Sequence, residues 1–250
     1  MLKTNLPKGP GPAVVIIPAF NEGNNIESIV RGMRKEFPET DVVVVDDGSS
    51  DSTCVKAKLS GATVLCHANN MGYGIALQTG YKYALQQEKY TYFVQMDGDG
   101  QHNYKDIPKL LQPLYEEKAD LVIGSRFIDK TNGYRVGKVR RFGMHFFRIF
   151  LYILTGQNIK DVTSGMQAFT SDVAQAYVSD EFPYLYPDAN LLLLQIKNGY
   201  RITEIPTVMK ENPERKSMHE GFGRQLFYVA SMILSILMMF LRNLGRKYAA

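Results

Sequence analysis

"YTYFVQMDGDGQHN", residues 90–103, runs an apolar, strand-like segment directly into two aspartates one residue apart, each followed by a glycine. An unpaired buried carboxylate is costly, so Asp97 and Asp99 at the end of such a segment call for a positive partner. In extended chain, residues i and i+2 face the same side, so both carboxylates converge on one cation if the strand continues that far. Gly98 and Gly100 let the backbone turn closely around a ligand. Carboxylate oxygens suit hard divalent ions such as Mg2+ or Mn2+, which bind phosphates at the same time. The plainer reading is an aspartate–glycine turn between a strand and a helix, and the residues alone leave both open.

The same texture extends outward. "AVVIIP" (13–18), "DVVVVDD" (41–47), "ATVLCH" (62–67) and "DLVIGS" (120–125) are further short runs suited to strands buried on both faces. Between them, "NNIESIVRGMRKEF" (24–37) and "GIALQTGYKYALQQ" (74–87) space apolar residues at helical intervals, and "SSDSTCVKAKLS" opens with cap residues. Strands alternating with helices predict an α/β fold with a mostly parallel central sheet flanked by helices. Ligands of such sheets bind outside the carboxyl ends of the strands. Those ends carry the polar residues: "PAFNE", "DDGSSD", "HANNMGYG" and "DGDGQH".

Asp46 and Asp47 therefore share a rim with Asp97 and Asp99, and four carboxylates there repel unless cations, or ribose and base donors, share them. "DDGSSDST" serves either as a helix-capping loop or, through Asp47, as a nucleoside contact. "NNMGYG" offers Gly72 and Gly74 near a helix start, where free amides favour anions, although Gly-x-Gly is also an ordinary turn. "PAFNEGNN" lacks the G-x-G-x-x-G fingerprint, and no G-x-x-x-x-G-K-[ST] occurs, so a nucleotide is held in some other way.

The formal net charge of +4 and a pI near 8.9 lie far from a nucleic-acid binder's dense basic stripe, so no nucleic-acid partner is expected. Hydrophobic residues at 45% and charged residues at 22% are ordinary for a globular domain. Cys54 and Cys66 could in principle pair, but only two cysteines in the chain favour thiols of a reducing compartment over a disulfide scaffold, which points to a cytoplasmic location. "MLKTNLPKGPGP" has no apolar segment of signal-peptide length.

Beyond Ser125, "VGKVRRFGMHFFRIFLYILTG" (136–156) mixes basic and large apolar residues like a helix lying on a membrane surface. "DVTSGMQAF" (161–169) reads as a loop and short strand, "PDANLLLLQIKNG" (187–199) as a buried helix and "YRITEIPTVM" (200–209) as a strand. The uncharged stretch 226–241 would be about 24 Å long as a helix, short of the roughly 30 Å of bilayer hydrocarbon. Basic residues at both its borders favour membrane or partner-membrane contact over simple packing.

Taken together, "VVIIPAFNE", "VVVVDDGSSDST", "NNMGYGIALQTG", "VQMDGDGQH" and "GSRF" resemble the inverting family 2 glycosyltransferases of GT-A fold, especially the dolichol- and polyprenyl-phosphate sugar synthase branch. The resemblance covers 13 to about 217. The chain is read as a flexible lead-in (1–12), a catalytic domain (13–217) that the resemblance covers, and a C-terminal membrane-associating apolar helix (218–250). The resemblance implies a Mg2+ or Mn2+ site at Asp97, Asp99 and Gln101, with Asp99 catalytic. Nucleotide-sugar contacts are implied at Pro18, Phe20, Asn21, Glu22, Asp46, Asp47, Gly48, Asn70, Gly74, Asp97 and Gly98. Arg126 of "GSR" would meet acceptor or diphosphate oxygens, with Arg140, Arg215 and Ser217 as further phosphate contacts.

Against the family's D-x-x-S-G-F-R-x-F this chain has Met166 and Gln167 where Phe and Arg are usual, and its R-x-x-G-x-S loop lacks the Gly. Asp188 falls where the family often carries an acid, and serves either as a general base or as an N-cap. The implied reaction moves a sugar from a nucleoside diphosphate, by family habit UDP, to polyprenyl phosphate at the cytosolic membrane face. Extension of a saccharide through a hydroxyl is the alternative. The implied partners are the membrane surface and a small membrane protein or a second copy.

Overall fold

The computed structural model describes residues 11–129, 138–184, 187–210 and, toward the C-terminus, 223, 227 and 229–238. Its strands are β1 (Ala13–Ala19), β2 (Asp41–Asp46), β3 (Thr63–Cys66), β4 (Tyr92–Gln95), β5 (Leu121–Ser125), β6 (Gln167–Thr170) and β7 (Ile202–Pro206). They form one seven-stranded sheet in the order β3-β2-β1-β4-β6-β5-β7. Four neighbouring pairs are parallel, but β6 runs antiparallel to both β4 and β5, so the sheet is mixed.

The helices are α1 (Ile26–Glu36), α2 (Thr53–Leu59), α3 (Tyr73–Gln86), α4 (Ile107–Tyr115), α5 (Lys138–Thr155), α6 (Ser171–Tyr177) and α7 (Ala189–Lys197). Strand alternation sorts the core into two layers. Val14 and Ile16 of β1 face a cluster with Leu77, Phe147, Phe169 and Leu193, whereas Val15 and Ile17 face one with Ile29, Val30 and Leu110. On the first face Phe93 and Phe169 stack 5.9 Å apart, and Tyr81 meets Phe169 edge-on at 5.5 Å.

Three features differ from the sequence expectation. β3 pairs only with β2, so it is an edge strand whose Thr63 and Cys66 are exposed rather than a strand buried on both faces. Helix α4 was not anticipated: Pro108 and Pro113 interrupt its pattern, and burial of Leu110, Leu111 and Leu114 secures it instead. The two cysteines are joined as a Cys54–Cys66 disulfide, which corrects their reading as two thiols.

Two consequences of topology place the site. The chain leaves β1 toward β2 on one side and β4 on the other, so a crevice opens between the carboxyl ends of β1 and β4. Because β6 is antiparallel, its start lies at that same edge, and the segment 161–166 joins the rim. Residues 229–238 form a helix that buries Met232 and Ile236 in the first core cluster. Among the described residues no helix is long and apolar enough to cross a membrane.

Burial pushes the hydroxyls of Tyr81 and Tyr177 well above their ordinary value. The folded state thus keeps protons that the unfolded chain releases, a contribution fully present below about pH 10 and lost above it. The urea midpoint is expected to fall as pH rises past that point, and to fall less in Tyr177→Phe.

Candidate active site at the strand ends

The β1–α1 and β2–α2 loops are stitched together. Asn21 N–H donates to Ser49 Oγ at 2.8 Å, Ser50 N–H to Asn21 Oδ1 at 2.9 Å, Glu22 N–H to Thr53 Oγ1 at 2.8 Å and Gly23 N–H to Asp51 Oδ2 at 3.0 Å. Asn21 adopts φ 56°, a left-handed conformation that asparagine tolerates. The resulting turn leaves the Phe20 ring 46% exposed on the rim, beside Pro18 at the end of β1.

Asp46 and Asp47 are neighbours in sequence with different surroundings. Asp47 accepts from Met71 N–H and Gly72 N–H at 2.8 Å each, and its Oδ1 lies 2.7 Å from His67 Nδ1. It anchors the loop that carries Asn70, itself exposed. Gly48 permits this approach, since a Cβ there would stand 2.5 Å from the Asn69 carbonyl carbon. Asp46 is equally buried, at 3% exposed, but its Oδ1 has no hydrogen-bond partner among the described residues.

β4 ends at Gln95, so Asp97 sits just beyond the strand and Gly98 and Asp99 lie in a turn. The strand therefore does not continue as far as the pleat argument for the two carboxylates required. Asp99 is 2% exposed, and its Oδ1 accepts from Gln101 N–H at 2.9 Å. Gln101 Nε2 donates to Lys210 O at 3.2 Å, tying this turn to the segment that follows β7. Asp97 is held from beneath: Tyr81 donates to Gln95 Oε1, Gln95 Nε2 donates to Tyr73 Oη at 3.0 Å, and Tyr73 donates to Asp97 Oδ1 at 2.8 Å. His102 Nε2 lies 3.3 Å from Asp97 Oδ2. Burial, followed by the charge of Asp97, pushes the Tyr73 hydroxyl well above its ordinary value, so Tyr73 stays a donor.

Arg126, directly after β5, is 4% exposed and grips Asp161, with Nε to Oδ2 at 2.7 Å and an Nη2 to Oδ1 at 2.6 Å. The same Nη2 donates to Thr163 Oγ1 at 2.9 Å. Arg126 thus fixes the segment 161–166 at the rim. That segment brings Gly165 so close that a Cβ would stand 2.6 Å from Asp97 Oδ2. Gln167, in place of the family's Arg, is buried and donates to Ser164 O at 3.0 Å.

Asp188 occupies the N-cap position of α7 without a side-chain cap hydrogen bond, and its charge acts on Tyr73. Gly74 lies in the first turn of α3, where a Cβ would meet Tyr184 O at 2.1 Å, so its smallness admits the 184 segment. Arg215, Ser217 and the side chain of Arg140 lie outside the described residues. Sequence reasoning missed Tyr73, Gln95, His102, Asp161 and Gly165 as supports of the site. Most lie inside the quoted motifs, yet only the fold tells which of them touch Asp97.

The donor set of Asp97, Asp99 and Gln101 is two carboxylates and one amide, the hard-oxygen chemistry of Mg2+ or Mn2+. The absence of a side chain at Gly165 keeps the Asp97 carboxylate uncrowded. These residues fit such an ion.

A sequence profile of the family described as "Glycosyl transferase family 2" matches residues 14–178. An uncharacterised protein of Methanocaldococcus jannaschii is 36% identical over 77% of this chain and 79% of its own. The undecaprenyl-phosphate mannosyltransferase of Micrococcus luteus is 30% identical over 83% of this chain and 87% of its own. Glucosyl-3-phosphoglycerate synthase of Mycobacterium tuberculosis, solved with Mn2+ and UDP-glucose, superposes with a TM-score of 0.67 at 21% identity, covering 90% of this chain and 79% of that one. The sheet is therefore of the GT-A kind.

Removing one member of a buried ion pair strands the other charge. Asp161→Asn is expected to lower the unfolding free energy by about 3–5 kcal/mol in urea titration. Arg201→Ala, at the exposed Arg201–Asp120 pair, should change it by about 1 kcal/mol or less.

Proposed function

Since this chain belongs to glycosyl transferase family 2, we propose that it moves a sugar from a UDP-sugar to a polyprenyl phosphate at the cytosolic face of a membrane, with inversion at the anomeric carbon. The observation that carries this reading is the Asp97 carboxylate, held on the Tyr81–Gln95–Tyr73 relay at the crevice between β1 and β4. Phe20 offers its exposed ring to the nucleobase, and the unpartnered Asp46 Oδ1 accepts from a base N–H. Burying an acceptor without a donor is costly, so a ligand that supplies one gains affinity there.

Asp97, Asp99 and Gln101 would hold a divalent ion, which when bound supplies positive charge to the diphosphate leaving group. The chain's own part is positional. The Tyr73 relay and His102 fix Asp97, and the Arg126–Asp161 pair fixes the segment that packs on it. An acceptor oxygen forms its bond to the anomeric carbon from the face opposite the diphosphate. The bond from that carbon to the diphosphate oxygen breaks, and its electron pair leaves with the nucleotide. A phosphate acceptor arrives ionised, so no proton need be removed. Asp188, at the start of α7 and near enough for its charge to act on Tyr73, is the base if the acceptor is a hydroxyl.

The membrane side of the proposal is supported by two exposed apolar faces. α5 presents Phe146, Ile149 and Ile153, and the C-terminal helix presents Ile233, Leu234 and Leu237. Such faces suit burial in a lipid interface. The relatives add weight, since the Micrococcus luteus protein bears the name of an undecaprenyl-phosphate mannosyltransferase.

The test is transfer from a panel of radiolabelled nucleoside-diphosphate sugars to short-chain polyprenyl phosphate with Mn2+. A chloroform-soluble, acid-labile product that Asp99→Ala abolishes is expected. Product formed only from a saccharide acceptor, and lost in Asp188→Asn, would replace the lipid reading. Tyr73→Phe removes the hydrogen bond to Asp97 and leaves the buried Gln95 Nε2 without its acceptor, and should lower kcat about tenfold or more while lowering the unfolding free energy by about 1–3 kcal/mol.

A further inference from the structure

Cys54 stands in the first turn of α2 and Cys66 is the last residue of β3, joined with their Cα atoms 6.9 Å apart. The β2–β3 register sets Asp46 directly beside Cys66. Both sulfurs and a carboxylate oxygen of Asp46 lie within 4.8 Å of one another. Among the described residues this is the only such cluster of three metal-ligating side chains. A second observation points to a missing cation: Asp46 is 3% exposed, and its Oδ1 has no hydrogen-bond partner among the described residues.

We propose that Asp46, Cys54 and Cys66 form a redox-gated site for a thiophilic divalent ion of the zinc class, whose occupation withdraws Asp46 from the donor's base. The second half rests on the reading of Asp46 as the base acceptor. In the gating step a dithiol reductant transfers two electrons and two protons to the disulfide. The S–S bond breaks, two thiols form, and the reductant leaves as its own disulfide. The ion then displaces the two thiol protons to water and binds two thiolates and the carboxylate, with water as the fourth ligand of a tetrahedron.

The distances suit this. Zinc–sulfur bonds near 2.3 Å place two thiolates roughly 3.8 Å apart in a tetrahedral site, so once the disulfide is reduced the sulfurs need only part to that separation while staying within reach of Asp46. An ion there also gives the buried Asp46 carboxylate, whose Oδ1 has no hydrogen-bond partner among the described residues, a cation to share. Ligand softness separates the two metal sites of the chain: thiolates select zinc-like ions, whereas the oxygen set at Asp97 and Asp99 selects Mg2+ or Mn2+. Cys66 is exposed and Cys54 half-buried, so a reductant and an ion can reach them. In the oxidised state the sulfurs are bonded to each other, and Asp46 remains available to the nucleobase.

The full chain is reduced with dithiothreitol, desalted under nitrogen and titrated with Co2+. Titratable thiols should rise from none to two per chain. Near-ultraviolet thiolate-to-cobalt absorbance should saturate at one ion per chain and disappear on adding Zn2+. Cys54→Ser and Cys66→Ser should each abolish it, and Asp46→Asn should weaken Co2+ by at least the roughly tenfold that loss of a supporting partner causes. Asp97→Asn should leave the absorbance unchanged. Its absence when both thiols titrate, or its survival in Cys54→Ser, would overturn the site, and two free thiols before reduction would overturn the gating.

UDP binding to the reduced chain, measured by calorimetry with and without Zn2+, tests the competition. A loss of affinity with Zn2+ supports it and equal affinity overturns it. UDP failing to bind any form overturns the donor reading and the competition with it, while the cobalt spectrum still decides the metal site.

Discussion

The site depends on the buried Arg126–Asp161 pair. Arg126 leaves the carboxyl end of β5, Asp161 opens the segment leading into β6, and their bidentate contact locks that segment across the strand ends. Both Asp161 carboxylate oxygens are engaged by the guanidinium, and the Asp161 N–H donates to Glu204 of β7 at 2.8 Å. Charges so deeply buried are tolerated only when their hydrogen-bonding capacity is met. From this anchor Gly165 reaches Asp97, so the Arg126–Asp161 pair sets the space around the key carboxylate of the crevice.

Antiparallel β6 makes that arrangement possible. A parallel strand in its place would send the segment before it to the opposite edge of the sheet. The cost of inserting it is a mixed ladder. The gain is that one rim collects the ends of β1, β2, β4 and β5 together with the start of β6. Membership of glycosyl transferase family 2 fits this construction, since the chemistry asks mainly for fixed positions around a leaving diphosphate.

Asp46 and Asp47 show how little adjacency says about role. Asp47 meets three donors from the loop 67–72 and acts as an internal strut. Asp46, on the alternate face, meets none at Oδ1 and lies against the Cys54–Cys66 pair. An oxygen left without a donor in a buried place is a local instability that a ligand relieves.

The alternation of strands and helices was legible in the chain alone, because buried strands and amphipathic helices impose different apolar periods on it. So was the gathering of the polar motifs at the strand ends, and the order of those motifs carried the family resemblance. Only the tertiary structure decided what each polar residue touches. Tyr73, Gln95 and Tyr81 lie up to 24 residues from one another or from Asp97, yet form one relay. Arg126 and Asp161 are 35 residues apart, and β6 had to reverse direction before Gly165 could meet Asp97. The pairing of Cys54 with Cys66 was conceivable in the sequence but chosen only by the fold, for the same reason. Periodicity is a property of local chain, whereas the partner of a buried charge or sulfur is set by which distant segments the sheet order brings together.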